Sequence, residues 1–270
     1  MPAKSSGSRE GTALAMVATS TERLPATSAI MAACGLNAPA KGGLLGSIFG
    51  RKATAPKDFD WKEGILVAPF RDGQLAVSLI PAPIPWSELE GPCATAWWWP
   101  EATQKMQAHR CHFLIGLLGG SMDPIERRVI LTRLASAIVQ NSDAVGVYWG
   151  EGTLVHEPRE FVQQAEAVNA ETIPGTLWID VRIEKNRDGS LRCFTTGLAP
   201  LGFLEIEVEQ SRLPPEELMG FIGDTACYIV NGRLHIKDGE TMGRTATERY
   251  KVKHMASMFD RAPVMRLVMT

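Results

Sequence analysis

Two tight-turn signals with nearly the same wording constrain this chain more than any other feature: Arg71-Asp72-Gly73-Gln74-Leu75 and Arg187-Asp188-Gly189-Ser190-Leu191, each set between two apolar runs. Asp-Gly offers the positive φ that a hairpin turn needs, so 65–70 is expected to pair with 75–80, and 177–184 with 191–196. A strand at 13–18 and a helix at 22–34 precede the first hairpin. Helical pieces over 86–109, broken at Pro92 and Pro100, and an apolar strand at 111–118 follow it. Around the second hairpin, a strand at 144–149 and a helix at 158–168 come before. A strand at 203–208, a helix at 214–228, a short hairpin around Asn231-Gly232, a polar loop at 237–247 and a last strand at 264–269 come after. The repeated order of strand, helix, hairpin, helix, strand points to duplication. It predicts an α+β protein of two ferredoxin-like (βαββαβ) halves, their antiparallel or mixed sheets covered by helices. One continuous mixed sheet is the alternative.

The clearest helix covers 123–141, with Asp123 as N-cap, Pro124 in the first position, and an apolar stripe through Ile125, Val129, Leu131, Leu134, Ala135 and Ile138. Placed as the link between the halves, it gives the following map. A flexible N-terminus spans 1–11, and the first half spans 12–118 with a flexible glycine- and proline-punctuated insertion at 37–60. The connecting helix region is 119–143 and the second half 144–270.

A chain of 270 residues with 45% hydrophobic positions buries a core without staples. Its net charge of −2 argues against a nucleic-acid partner, which calls for a basic face. Arg127 and Arg128, and Arg244, Arg249, Lys251 and Lys253, are expected on solvated faces. The five cysteines are scattered and contain no CxxC pair, so zinc and redox motifs are absent and a reduced, cytoplasmic setting fits. Met31-Ala32-Ala33-Cys34 resembles a lipoprotein cleavage box, but Glu22, Arg23 and Pro25 interrupt the apolar run that export requires. No stretch approaches the roughly 18 apolar residues of a spanning helix, so no membrane partner is expected.

Candidate binding residues fall in three places. Trp97, Trp98 and Trp99 are adjacent, so they cannot all face one core, and at least one is expected to be exposed or covered by a partner. Tyr148 and Trp149 end a strand in the glycine-rich turn 150–152, where open α/β sheets present ligands, and His156 follows. Asp238 and Thr241 sit in the polar loop 237–247, long enough to be an interaction surface. Glu205 and Glu207 share one face of a strand by its period of two, as do Asp180 and Arg182, and a solvated sheet face is the expectation for both pairs. His109 and His112 flank Cys111 but cannot be assumed to converge on a strand, and no metal site or cofactor is expected. No nucleotide loop, serine elbow or cysteine–histidine dyad is present.

Gly146 to Thr153 with His156, Trp178-Ile179-Asp180-Val181, Thr196-Gly197-Leu198 with Gly202 and Glu205, and Asp238-Gly239-Glu240-Thr241-Met242-Gly243 occur in an order that resembles a bacterial family. That family is the domain of unknown function numbered four-two-six-one. The likeness is clearest over 190–255 and extends loosely back to 64. It implies a bacterial cytosolic protein and no particular reaction. The expectation that results is a non-enzymatic protein-binding factor, accessory or immunity-type, acting through the tryptophans, Tyr148-Trp149 and the loop 238–245. The rival is a small-molecule enzyme or sensor with a site between the halves, using His156, Glu205 and Asp238.

Overall fold

The computed structural model describes residues 12–36, 59–169, 171–245 and 247–269. The chain is α+β and divides into two compact units, Met1–Gly150 with Leu154–Asn169, and Glu151–Thr153 with Ala170–Thr270. The flexible stretch expected at 1–11, and residues 37–58 of the one expected at 37–60, lie outside the described residues. No described helix is long and apolar enough to cross a membrane.

The first unit runs β1 (Thr12–Thr19), α1 (Thr27–Ala33), β2 (Ile65–Phe70), β3 (Gly73–Ile80), α2 (Trp86–Thr95), α3 (Ala102–Gln107), β4 (Cys111–Leu118), α4 (Pro124–Gln140), β5 (Ala144–Trp149), β6 (Leu154–His156) and α5 (Pro158–Glu166). Its six strands lie in the order β2-β3-β4-β1-β5-β6. The continuously apolar β4 sits inside, paired on one side with β3 and on the other with β1, as a strand buried on both faces should. α4 starts where Asp123 caps it, its Oδ1 accepting from the amides of Ile125 and Glu126 at 3.1 Å each.

Helix α4 is not a link between halves. It joins β4 to β5, which run parallel to each other on either side of the antiparallel β1. The strand expected to open the second half at 144 therefore belongs to the first sheet, paired with β1 on one side and β6 on the other. Arg127 is not on a solvated face either. It is buried, and its guanidinium donates to the carbonyls of Leu117, Gly119 and Gly120, satisfying the end of β4. Arg128 is buried beside it and donates to Pro124 O. α1 begins at Thr27 rather than 22, since Pro25 pushes Leu24 away from the helical region.

The second unit runs α6 (Gly175–Trp178), β7 (Asp180–Lys185), β8 (Leu191–Thr196), a 3-10 turn (Ala199–Leu201), β9 (Glu205–Ser211), α7 (Pro215–Gly232), β10 (Thr241–Met242), β11 (Tyr250–Ala256) and β12 (Pro263–Val268). Its six strands lie in the order β10-β11-β12-β9-β8-β7. β9 and β12 are parallel neighbours with no strand between them, so the βαββαβ order expected for this half is replaced by a meander, a crossover helix and a second meander. The Asn231-Gly232 hairpin is absent because α7 continues through both residues and stops at Arg233, whose φ is +50°.

The two Asp-Gly turns also differ in kind. In the first, Phe70 pairs with Gly73, so the turn residues are Arg71 and Asp72, with Arg71 at φ +54°. Gly73 is needed for space, since a side chain there would run into the backbone of Leu118 and Gly119. In the second, Lys185 pairs with Leu191, the loop is longer, and Gly189 takes the positive φ of 84°. Similar wording thus serves two geometries, and the duplication it pointed to is not reflected in the strand orders.

Candidate functional site

The prolines at 81, 83 and 85 end β3, and two histidines fix the segment they create. His109 accepts from the Ile84 amide through Nε2 at 2.6 Å and donates to Met106 O through Nδ1. His112 donates to Ala82 O at 2.8 Å, and burial pushes its pKa below the usual histidine range. Both rings are employed in holding backbone.

α2 then packs Leu89 and Cys93 inward, and Pro92 is accommodated within it. The break falls instead at Trp97 to Pro100, because Pro100 lacks an amide and disfavours helix at Trp99. The three tryptophans fan out across this break. Trp99 is 4% exposed and packs with Met106, Ala18 and Tyr148. Gly146 of β5 makes room for it, since a Cβ there would collide with Met106 and press on the Trp99 ring. Trp98 is half-buried, and its indole N–H donates to Val155 O on the edge strand β6 at 3.2 Å. This blunts an otherwise open sheet edge. Trp97 is 69% exposed and meets Trp98 edge-on, with centroids 5.7 Å apart and planes at 84°.

Tyr148 and Trp149 are both buried in the core of the first unit. The strand end they occupy therefore presents no aromatic surface. Burial raises the Tyr148 phenol above its ordinary range, with the charge of Glu88 on α2 adding to the effect. His156 is buried at the end of β6, its ring 5.7 Å from that of Phe161. A shallow groove of about 580 Å³ between α4 and α5 is lined by Gln140, Glu157, Arg159, Gln163 and Glu166 among others, and none of the candidate binding residues lines it.

In the second unit the register places Glu205 and Glu207 of β9 opposite Val264 and Arg266 of β12, and Phe194 of β8 opposite Glu207. These residues share one sheet face, as the period of two requires, but the face is not simply solvated. Glu207 is 1% exposed and Arg266 is 8% exposed. Glu207 Oε2 accepts from Arg266 Nη2 at 2.8 Å, while Oε1 accepts from Ser257 Oγ at 2.6 Å and the Met258 amide at 3.2 Å. Arg266 Nε is buried without a hydrogen-bond partner. Phe259 closes over this region, its ring 4.5 Å from Phe194. Asp180 is likewise buried and paired with Arg182, and desolvation raises its carboxyl pKa despite that partner.

Glu205 is a tie for the loop that follows β8. Its carboxylate accepts from Thr195 Oγ1 at 2.7 Å and from the amides of Gly197 and Ala199 at 2.9 Å each. Gly197 holds φ +118° and has no space for a side chain against the Trp178 carbonyl, and Gly202 ends the 3-10 turn at φ +90°. The Thr196-Gly197-Leu198, Gly202 and Glu205 motif is thus one self-consistent knot of backbone. Asp238 has a similar duty, its Oδ1 accepting from the His254 amide at 2.7 Å. Thr241 is exposed on the short strand β10, opposite Lys251.

Of the predicted residues, the structure therefore leaves Trp97, Asp238 and Thr241 at the surface, with Trp98 half-buried between surface and core. Trp99, Tyr148, Trp149 and His156 go to the core, and Glu205 and Asp238 to loop anchoring. The Glu207–Arg266 pair escaped notice although its signal, acidic residues on alternate positions of β9 and one arginine in an apolar C-terminal strand, is written in the chain. No curated protein and no solved structure matches the chain. A family model described as Domain of unknown function (DUF4261) matches residues 194–268. That span reaches from β8 through the end of β12 and contains the Gly197–Glu205 knot, the Glu207–Arg266 pair and the loop anchored by Asp238. Over residues 194–268 this chain is therefore similar to the family of unknown function DUF4261.

Proposed function

We propose that this protein acts by binding another protein, as a non-enzymatic accessory or immunity-type factor, and that the contact is made by the Trp97 surface of the first unit. The observation that carries this reading is the exposure of Trp97 combined with its support. An indole left in water at 69% exposure forgoes the burial that dominates aromatic energetics, yet it is held by Trp98, which is itself bonded to β6. Tryptophan presented on a rigid base is what anchors protein interfaces. For the first unit we also infer a ferredoxin-like core made of β1, β3, β4 and β5, supported by their order β3-β4-β1-β5 and by α4 crossing from β4 to β5.

The test is capture from the native cell extract by the full chain and by its Trp97→Ala variant, with cross-linking and mass spectrometry. A stoichiometric partner held by the native chain and weakened about tenfold or more by Trp97→Ala is expected. A partner held equally by both removes this surface from the function.

A further inference from the structure

We propose that the partner presents a cationic segment to this surface, with an arginine or lysine side chain laid over the Trp97 indole. The proposal rests on the reading of Trp97 as a protein contact and adds the chemistry of what binds there. Residues 81–104 contain Glu88, Glu90 and Glu101 and no lysine, arginine or histidine. All three carboxylates are exposed. None takes part in an ion pair among the described residues. Glu88 and Glu90 lie on α2, which leads into the tryptophan break, and Glu101 follows Trp97 by four residues at the start of α3. Glu88 is close enough to the cluster to act on Tyr148. The next cation along the chain, Lys105, is in the last turn of α3.

The sign of this patch stands out in a chain whose charges otherwise nearly balance, at 28 basic against 30 acidic residues. An exposed indole between two helices whose exposed charges up to Glu101 are all carboxylates matches a cation from two directions. The ring quadrupole attracts the positive group at short range, and the carboxylates attract it over the distance of a Debye length, about 8 Å at physiological salt. An acidic segment would meet repulsion on the same surface, and a purely apolar one would strand three carboxylates beside it.

The experiment is fluorescence anisotropy of a labelled peptide of alternating arginine and glycine, titrated with the full chain. Peptides carrying glutamate or uncharged citrulline in place of arginine serve as controls. The arginine peptide is expected to bind at low salt and weaken as salt rises. Trp97→Ala should reduce its affinity about tenfold or more, with Trp97→Phe restoring part of the loss. The Glu88→Gln, Glu90→Gln, Glu101→Gln triple variant should weaken binding and flatten the salt dependence. Equal binding of the citrulline or glutamate peptide, or no effect of Trp97→Ala on the arginine peptide, overturns the proposal. If Trp97→Ala loses the captured protein partner but leaves the arginine peptide unaffected, the cationic chemistry fails while the protein-binding reading stands. If Trp97→Ala changes neither, both fail.

Discussion

Glu205 illustrates how a single side chain acquires a task that its identity alone does not announce. Its position on β9 places it at the mouth of the loop after β8, and the amides of Gly197 and Ala199 together with Thr195 Oγ1 converge on it. Desolvation nevertheless wins over these donors and raises its carboxyl pKa above the ordinary range. A raised folded-state pKa contributes stability that is full below the unfolded value and is lost as pH rises through the folded one. Stability relative to a Glu205→Gln variant, which has no such titration, is therefore expected to fall as pH rises from below the ordinary glutamate pKa toward neutrality. Urea midpoints of the two proteins across that range measure it, and a constant difference would refute the assignment. Asp72 and Asp188 shift the other way, each held below the usual range by the hydroxyl and amide of a nearby serine, Ser121 and Ser190 respectively. Their presence in the two Asp-Gly turns was legible from sequence. Their serine partners were not equally so, since Ser121 is far from Asp72 along the chain.

At the scale of elements, the helices with polar starts and apolar stripes were readable in advance. α4 and α5 begin where Asp123 and Glu157 accept from their first-turn amides. β6 and β11 were not predicted: β6 has three residues, too few to display a period, and β11 carries exposed lysines on alternate positions, which resemble a loop until a partner strand is known. The parallel pairing of β9 with β12 creates the setting of Glu207 and Arg266, and the loop after β11 completes it through Ser257 and Met258. Glu207→Ala leaves the Arg266 guanidinium buried without its main counter-charge and is expected to cost about 3–5 kcal/mol. Replacing both together, Glu207→Leu with Arg266→Met, should cost clearly less, because no charge is then stranded. Denaturant unfolding of the single and double variants decides this, and equal costs would mean that the pair is not coupled.

Among the described residues the chain forms two α+β units, each with a six-stranded sheet of its own strand order, without disulfides. All five cysteines are free. Burial pushes the thiols of Cys34 and Cys193 up to about 12 and that of Cys93 to about 11. At pH 8 these thiols carry almost no thiolate, the reactive form. A thiol-reactive disulfide reagent is thus expected to modify the native protein slowly and to titrate five groups once guanidinium unfolds it. Rapid native reaction at Cys93 or Cys193 would contradict their burial.

The amino-acid order by itself determined most of the longer strands and helices, where α4 and α5 start, that at least one tryptophan of three must be left outside, and which family motif lies in the C-terminal region. Each follows from interactions within a few residues, or from the simple exclusion that three consecutive indoles cannot share one core. Tertiary structure alone decided that β5 joins the first sheet beside β1, that β9 lies beside β12, that Tyr148, Trp149 and His156 are core, and that Glu207 and Arg266 share a buried bond. These depend on which strand edges meet across long separations, a choice set by the fit of whole apolar faces that no local pattern encodes.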